Sequence, residues 1–348
     1  MPLVQNRNLR SWERLAGEGV DIVDASEIRA DASNEVHIGF LNMMPARAVI
    51  ATERQFLRLA SAANEYYVHI HPFTVDGLDR HGDILEYMQD AYDSFSQIQS
   101  RELDGLIMTG ANPGEAELKT EAFWPQYEQV IYWAQRNIPT IMCSCLATHA
   151  VLQALHGIER TRCEPGKRWG VYSHNLLNNT HHLTQGIDSV FETPRSHVFE
   201  MKAKQLADCG IEVLATSKEA DFHLAVSEDG FKWIFLQGHP EYDAISLLKE
   251  YKREVHRFVD FQISDYPDYP LNYFSRDARN ELTAYKNDVI RARDNGLRIP
   301  ELPEPKITDS LRNTWSEQGK ILFANWIRKI GQSVAERKQR NLSKAMGL

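Results

Sequence analysis

The hydrophobic and polar positions of this chain predict short buried strands that alternate with amphipathic helices. Residues 52–59 and 123–136 carry apolar side chains at three- and four-residue spacing, which indicates helices with one buried face. Short apolar runs typical of fully buried strands lie at 35–45, 66–72, 103–110 and 138–143. Buried strands that alternate with helices predict an α/β fold, in which helices cover both faces of a parallel sheet.

The second half of the chain has a different pattern. Its apolar runs follow one another closely and predict a mixed or antiparallel extension of the sheet, at 211–215, 223–227 and 233–237. Such an extension would return the last of these strands to the centre of the parallel sheet.

The tail is punctuated by proline at 265–270 and 299–305, with a highly charged stretch between them that we interpret as an inserted helix. These shifts divide the chain into three predicted parts: an N-terminal arm (1–34), an α/β core (35–264) and a C-terminal extension (265–348) that docks on the core.

Composition narrows the functional classes. The 348 residues are 43% hydrophobic and 25% charged, as in ordinary globular proteins, and the net charge of −9 argues against non-specific nucleic-acid binding. No apolar run reaches the ~20 residues of a membrane span, and no signal peptide is expected. Four irregularly spaced cysteines suit a reducing compartment, so we expect a cytoplasmic protein with no membrane partner.

The first candidate for chemistry is Cys145. It follows the predicted strand at 138–143 and precedes a helical run that Gly157 closes, so it occupies a sharp strand-to-helix turn. Small residues on both sides, such as Ser144 and Ala147, leave room for a strained nucleophile elbow.

A second signature, His239-Pro240-Glu241, follows the predicted strand at 233–237. Because ligands bind beyond the carboxyl ends of parallel strands, Cys145 and His239 are expected to meet there. Together they offer a nucleophile, a base and an orienting carboxylate, which indicates acyl transfer.

Other interpretations of these residues carry no catalysis. A lone cysteine is commonly a small buried side chain, and Pro240 and Glu241 could simply begin a helix. Cys143 and Cys145 could form half of a metal site. Because Cys163 and Cys209 stand alone, the sequence lacks a second cysteine pair at ligand spacing, and we expect no metal.

Taken in chain order, these motifs resemble the homoserine O-succinyltransferase family. The resemblance is carried by Asn42-Met-Met-Pro45, Thr52-Glu-Arg-Gln-Phe-Leu-Arg-Leu59, Asp104-Gly-Leu-Ile-Met-Thr-Gly-Ala111, Trp124-Pro-Gln126, Cys145, Gly170-Val-Tyr172, Gly238-His-Pro-Glu-Tyr-Asp243, Asn272-Tyr-Phe274 and Gly319-Lys-Ile-Leu-Phe-Ala-Asn-Trp326. It implies a flavodoxin-like sheet similar to that of class I glutamine amidotransferases, with a Cys–His–Glu triad.

The resemblance implies a role for each site residue. Cys145 would carry the acyl group as a thioester, His239 would be the general base, and Glu241 would orient it. Backbone N–H groups of Leu146 and Ala111 would form the oxyanion hole. The expected substrate contacts are Lys167, Ser196 and Arg253. Without the resemblance, the lysine and the arginine would be read as ordinary solvated charges on the surface.

The implied reactants are L-homoserine and succinyl-CoA as a co-substrate, with no resident cofactor. We also expect a homodimer.

The predicted donor rests on Gly114, three residues after the turn that ends at Ala111. In this family a glutamate there favours acetyl-CoA, whereas glycine leaves space for the second carboxylate of succinate. The alternative for Gly114 is a turn glycine that needs positive φ. Leu146, where the family usually has tryptophan, and the Asn112-Pro113-Gly114 loop depart from the family pattern.

Three other functions stay open at this point: homoserine O-acetyltransferase, a glutamine amidotransferase-type amidase, and a non-catalytic relative. Amidotransferases usually have glycine two residues either side of the cysteine, where this chain has Cys143 and Ala147.

Overall fold

An eleven-stranded sheet organises the part of the chain that the computed structural model describes, residues 2–28, 34–114 and 116–345. Its strands are β1 (Leu3–Gln5), β2 (Ile22–Asp24), β3 (Glu35–Leu41), β4 (Tyr67–Phe73), β5 (Gly105–Met108), β6 (Ile141–Ser144), β8 (Arg168–Leu176), β9 (Val190–His197), β11 (Glu212–Ser217), β12 (Asp221–Val226) and β13 (Trp233–Leu236). Two further strands, β7 (Thr161–Arg162) and β10 (Phe199–Glu200), form a separate pair.

Helices connect these strands and cover the sheet. They are α1 (Trp12–Gly17), α2 (Val49–Ala60), α3 (Gly82–Ala91), α4 (Phe95–Ile98), α5 (Trp124–Asn137), α6 (Leu146–His156), α7 (Ala203–Ala207), α8 (Ser246–Val259), α9 (Arg276–Asp294), α10 (Glu304–Thr308) and α11 (Ser316–Ala345). Within the described ranges no helix is long and apolar enough to span a membrane.

The strand order is β2-β1-β4-β3-β5-β6-β13-β12-β11-β8-β9. Neighbours from β2 to β13 are parallel, and those from β13 to β9 are antiparallel. Within the parallel part, β4-β3-β5-β6-β13 reproduces the 2-1-3-4-5 order of flavodoxin-like folds. The predicted parallel α/β sheet with an antiparallel extension is therefore confirmed.

The N-terminal segment differs from its prediction as a polar arm. β1 pairs in parallel with both β2 and β4, so this segment widens the sheet instead of lying outside it. Leu3 and Val4 are fully buried. A three-residue strand is too short to show a hydrophobic period in the sequence, which is why the pattern missed it. Residues 29–33 of the predicted arm lie outside the described residues.

Alternation along the central strands divides the core between the two faces of the sheet. Ile107 and Met142 belong to an apolar cluster that α2 and α11 cover, whereas Leu106 and Ile141 belong to one beneath α5 and α6. A third cluster packs α8 and α9 against β8. The predicted charged helix corresponds to α9, and α11 lies on the core; the three domain boundaries themselves stay a prediction.

Candidate active site

Cys145 occupies a strained turn between β6 and α6. Its backbone has φ 52° and ψ −108°, a conformation that costs a non-glycine residue on the order of 1–3 kcal/mol. A backbone hydrogen bond fixes the turn: the Cys145 N–H donates to the Leu236 carbonyl at 2.7 Å. Leu236 ends β13, which runs parallel to β6 with Leu236 opposite Ser144. The thiol is thus held at the carboxyl edge of the sheet.

The same strand, β13, leads directly to His239. The His239 N–H donates to the Pro194 carbonyl of β9 at 2.9 Å, which pins the loop against the antiparallel part of the sheet. Gly238 makes this approach possible: a Cβ there would lie 2.6 Å from Thr193 Cγ2 and 2.9 Å from Pro194 O. Any side chain at this position would push His239 away from the sheet.

His239 and Glu241 form a buried pair, with His239 Nδ1 2.8 Å from Glu241 Oε1. The other ring nitrogen, Nε2, is buried and interacts with the Cys145 side chain. Burial alone would lower the pKa of His239, but the charges of Glu241 and of a Cys145 thiolate raise that pKa well above its usual value. This favours a protonated imidazole at His239, in the same cavity as Cys145.

The loop that carries Glu241 is held by α2. Arg58 donates to the Glu241 carbonyl at 3.1 Å and to Asp243 Oδ1 at 2.7 Å, and Arg54 also pairs with Asp243. On the other side, Trp315 Nε1 donates to the Tyr242 carbonyl at 2.8 Å. These contacts give the arginines of the 52–59 motif a physical role: they fix the loop that orients the base.

The turn after β5 lies against the nucleophile elbow. A Cβ added to Gly110 would be 3.6 Å from both Cys145 Cβ and Leu146 N. Leu146 is the first residue of α6, where helix geometry leaves backbone N–H groups without intrahelical acceptors. The turn that ends at Ala111 thus lies beside the start of α6, and the roles of the Leu146 and Ala111 N–H groups as oxyanion donors stay predictions.

These elements surround a cavity of about 930 Å³. The sequence-predicted residues that line it are Ala111, Gly114, Cys145, Leu146, Lys167, Ser196, His239 and Arg253. Glu241 lies beneath the wall, behind His239. The fold thus brings together residues from six separate segments, while their individual roles stay predictions.

Gly114 is exposed at the cavity rim, and nothing lies within 4 Å of the direction that a Cβ would take. Its φ is not positive, so the interpretation of Gly114 as a turn glycine that needs positive φ is wrong. A side chain at this position would meet open space and no clash.

The far wall of the cavity contains a residue that sequence reasoning missed, Glu250 on α8. Only 13% of its side-chain surface is exposed. Its carboxylate accepts hydrogen bonds from Ser196 Oγ at 2.5 Å, Tyr242 OH at 2.9 Å and Lys167 Nζ at 3.3 Å. Burial would raise the pKa of Glu250, yet the neighbouring Lys167 charge and these donors lower it, so Glu250 is ionised.

Glu250 therefore joins two predicted substrate contacts, Lys167 and Ser196, in one cluster, with Arg253 one helical turn along α8. The sequence did offer one indication of Glu250: it lies three residues before Arg253, so the two side chains share one face of the helix. Tyr242 belongs to the 238–243 motif, but the sequence assigned it no role. It stacks on His239 with ring centroids 4.3 Å apart and so connects the cluster to the base.

His149 also lines the cavity, on the first turns of α6. Its Nε2 is 2.7 Å from Gln237 Oε1, and burial lowers its pKa to about 4, so the ring is neutral. Among the residues that the structure describes, it has no carboxylate partner of the kind that Glu241 provides for His239. His239 is therefore the better candidate for the base.

The chain is similar to known proteins over most of its length. A family model described as "Homoserine O-succinyltransferase" matches residues 2–335. A protein of that name from Methylobacter tundripaludum is 47% identical, over 95% of this chain and 94% of its own length. One from Nitrosococcus oceani is 45% identical, over 95% and 93%. A solved glutamine amidotransferase from Methylobacillus flagellatus has a TM-score of 0.48 at 15% identity, covering 85% of this chain and 94% of that one.

Proposed function

Because the chain belongs to the homoserine O-succinyltransferase family, we propose that it transfers a succinyl group from succinyl-CoA to the hydroxyl of L-homoserine, in methionine biosynthesis. The proposed route is ping-pong, through a thioester on Cys145. The observation that carries it is the strained Cys145 elbow opening into the same cavity as a buried His239–Glu241 pair.

In the first half-reaction the Cys145 thiolate attacks the thioester carbonyl of succinyl-CoA. A C–S bond forms to Cys145, the carbonyl oxygen takes the negative charge, and the N–H groups of Leu146 and Ala111 donate to it. Collapse expels the CoA thiolate, which takes its proton from the His239 imidazolium and leaves that ring neutral for the second half-reaction. One thioester replaces another, so this step is close to isoenergetic.

In the second half-reaction His239 Nε2 accepts the proton of the homoserine hydroxyl, whose oxygen attacks the thioester. A neutral hydroxyl is a weak nucleophile, so removing its proton as the bond forms supplies much of the rate enhancement. Glu241 accepts the Nδ1–H hydrogen bond, which holds the tautomer in which Nε2 is free. The ester leaves, and Cys145 returns to the thiolate.

The far wall of the cavity is the proposed recognition site. Homoserine carries an ammonium and a carboxylate, and succinate adds a second carboxylate. Glu250 has the charge to bind the ammonium, whereas Lys167 and Arg253 have the charge to bind carboxylates. Ser196 donates to Glu250 and would hold it in place.

Gly114 is the proposed determinant of the donor. The open space beside it accommodates the succinyl carboxylate without a neighbouring charge at that position. Acetyl-CoA, which needs no such space, is the alternative donor. Homodimer formation and a cytoplasmic location remain proposals.

The function is tested by steady-state assays of CoA release with L-homoserine and either succinyl- or acetyl-CoA. We expect a higher kcat/KM for succinyl-CoA and a product ester that mass spectrometry identifies as O-succinylhomoserine. A higher kcat/KM for acetyl-CoA would favour the acetyltransferase. Ammonia release from glutamine that exceeds acyl transfer would favour an amidase.

A further inference from the structure

A cluster of histidines lies at the opposite edge of the sheet from Cys145. β3 and β4 run parallel with His37 opposite His69, so both residues are near the amino-terminal ends of their strands. Residues two apart on a strand share a face, which places Glu35 beside His37 and His71 beside His69. The His37 ring stacks on His69 at 4.4 Å between centroids and lies 5.3 Å from the His71 ring.

The donor atoms of three of these residues converge. His69 Nε2 is 2.8 Å from Glu35 Oε2, and one ligand atom each from Glu35, His37 and His69 lies within 4.8 Å of the other two. Ligand distances to Zn²⁺ are about 2.0–2.2 Å, so ligands of one ion are separated by about 3.3 Å. Small side-chain rotations would therefore bring the three ligand atoms to coordination distance from one ion.

His71 supplies the support that a metal-binding histidine needs. His37 Nδ1 is 3.0 Å from His71 Nε2, and in such a contact one nitrogen donates while the other accepts. When His37 Nδ1 donates, its Nε2 keeps the lone pair and is free for an ion. Ligand histidines commonly donate their second nitrogen in this way, which fixes the ring and its tautomer.

The charges around the cluster permit a cation. Arg101 is paired with Asp93 at 2.7 Å, and Arg337 with Asp104 at 2.6 Å. Asp104 and Glu35 favour a positive charge at His37, whereas Lys338 opposes it. Glu35 is 24% exposed, which leaves an entry path.

A second group of residues, Cys163, His197 and Glu200, also has ligand atoms close enough to hold a metal ion, but its carboxylate has other partners. Arg168 and Lys202 both pair with Glu200, so cations already occupy the carboxylate in that group.

We propose that Glu35, His37 and His69 bind a divalent transition-metal ion, with His71 orienting His37. Two imidazoles and one carboxylate suit Zn²⁺ best among the available divalent ions. The ion would join β3 to β4 at the edge away from the cavity, so its role is to stabilise the sheet and it takes no part in acyl transfer.

The test uses the full chain, stripped of metal, in a Cys145→Ala background, because the active-site thiol and imidazole could themselves trap zinc. Isothermal titration with ZnCl₂ should give one bound ion per chain and a raised Tm. His69→Gln should remove both effects, and His71→Asn should weaken binding by about 10- to 100-fold. His81→Gln, at an exposed histidine 3.7 Å from Asp79, is the matched control and should bind like its parent.

Co²⁺ gives an independent readout of the ligand type. Visible d–d bands without a thiolate charge-transfer band, lost in His69→Gln, would support the proposed site. Equal binding by the parent and His69→Gln, no binding by the parent, or a thiolate band would overturn it. If His69→Gln fails to fold, as circular dichroism would show, Glu35→Gln at the strand start replaces it and should also lose the site.

Discussion

The two walls of the catalytic cavity are built in different ways. The reactive wall consists of Cys145, His239 and Glu241, which follow the adjacent parallel strands β6 and β13, and a strained backbone and a buried ion pair hold them. The recognition wall consists of Lys167 in the loop before β8, Ser196 in β9, and Glu250 and Arg253 in α8. The first is fixed by strand register, the second by hydrogen bonds between distant side chains. Changes to the first should therefore affect both half-reactions, and changes to the second mainly the reaction of the acceptor.

The largest effect is expected for Glu241→Gln on the reactive wall. Losing the carboxylate removes the partner that fixes the tautomer of His239, so kcat/KM should fall by about 10²- to 10⁴-fold with either substrate varied. It also removes a charge that favours the imidazolium, so the pKa of His239 should decrease. Steady-state kinetics and NMR titration of the imidazole measure these two effects.

The control for this variant is Glu86→Gln, at an exposed position on α3. It should change neither activity nor the titration of His239. If the pKa of His239 were unchanged in Glu241→Gln, the electrostatic account of the reactive wall would be wrong.

An intermediate effect is expected for Glu250→Gln on the recognition wall. Glutamine can still accept from Ser196 and Tyr242 but loses the charge proposed to bind the homoserine ammonium. Charge-assisted hydrogen bonds contribute about 1.5–3 kcal/mol, so kcat/KM for homoserine should fall by about 10- to 100-fold. Formation of the acyl-enzyme from succinyl-CoA, measured by stopped flow, should change by less than about twofold.

Asp260→Asn is the matched control, because the exposed Asp260 lines the same cavity at the end of α8 and the change removes the same charge. An equal loss in both variants would indicate a general effect of net charge. A loss of acyl-enzyme formation in Glu250→Gln would remove the distinction between the two walls.

The smallest effect is expected at the cavity rim, for Gly114→Glu. The position is exposed, and an interaction between exposed charges contributes about 1 kcal/mol or less. The preference for succinyl- over acetyl-CoA, as a ratio of kcat/KM, should therefore fall by up to about fivefold. Gly114→Gln introduces the same volume without the charge and should keep the wild-type ratio; an equal fall in both would show that volume decides.

The same contrast explains what the sequence could reveal. The reactive wall was predictable, because each of its residues immediately follows an apolar strand, and parallel strands end at one edge. Glu250 was not singled out, since its role depends on contacts with Ser196 and Tyr242 that are 54 and 8 residues away along the chain. β1 and β2 were missed because three-residue strands carry no measurable period. The elbow of Cys145 could be expected from its small neighbours, but not its value of φ.

The most direct test of the account is the mass of the intact protein after incubation with succinyl-CoA in the absence of homoserine. We predict an increase of one succinyl group, located by peptide mapping on Cys145, lost on addition of homoserine and absent in Cys145→Ala. An active wild-type enzyme that forms no adduct, or Cys145→Ala protein that retains acyl transfer, would contradict the thioester route.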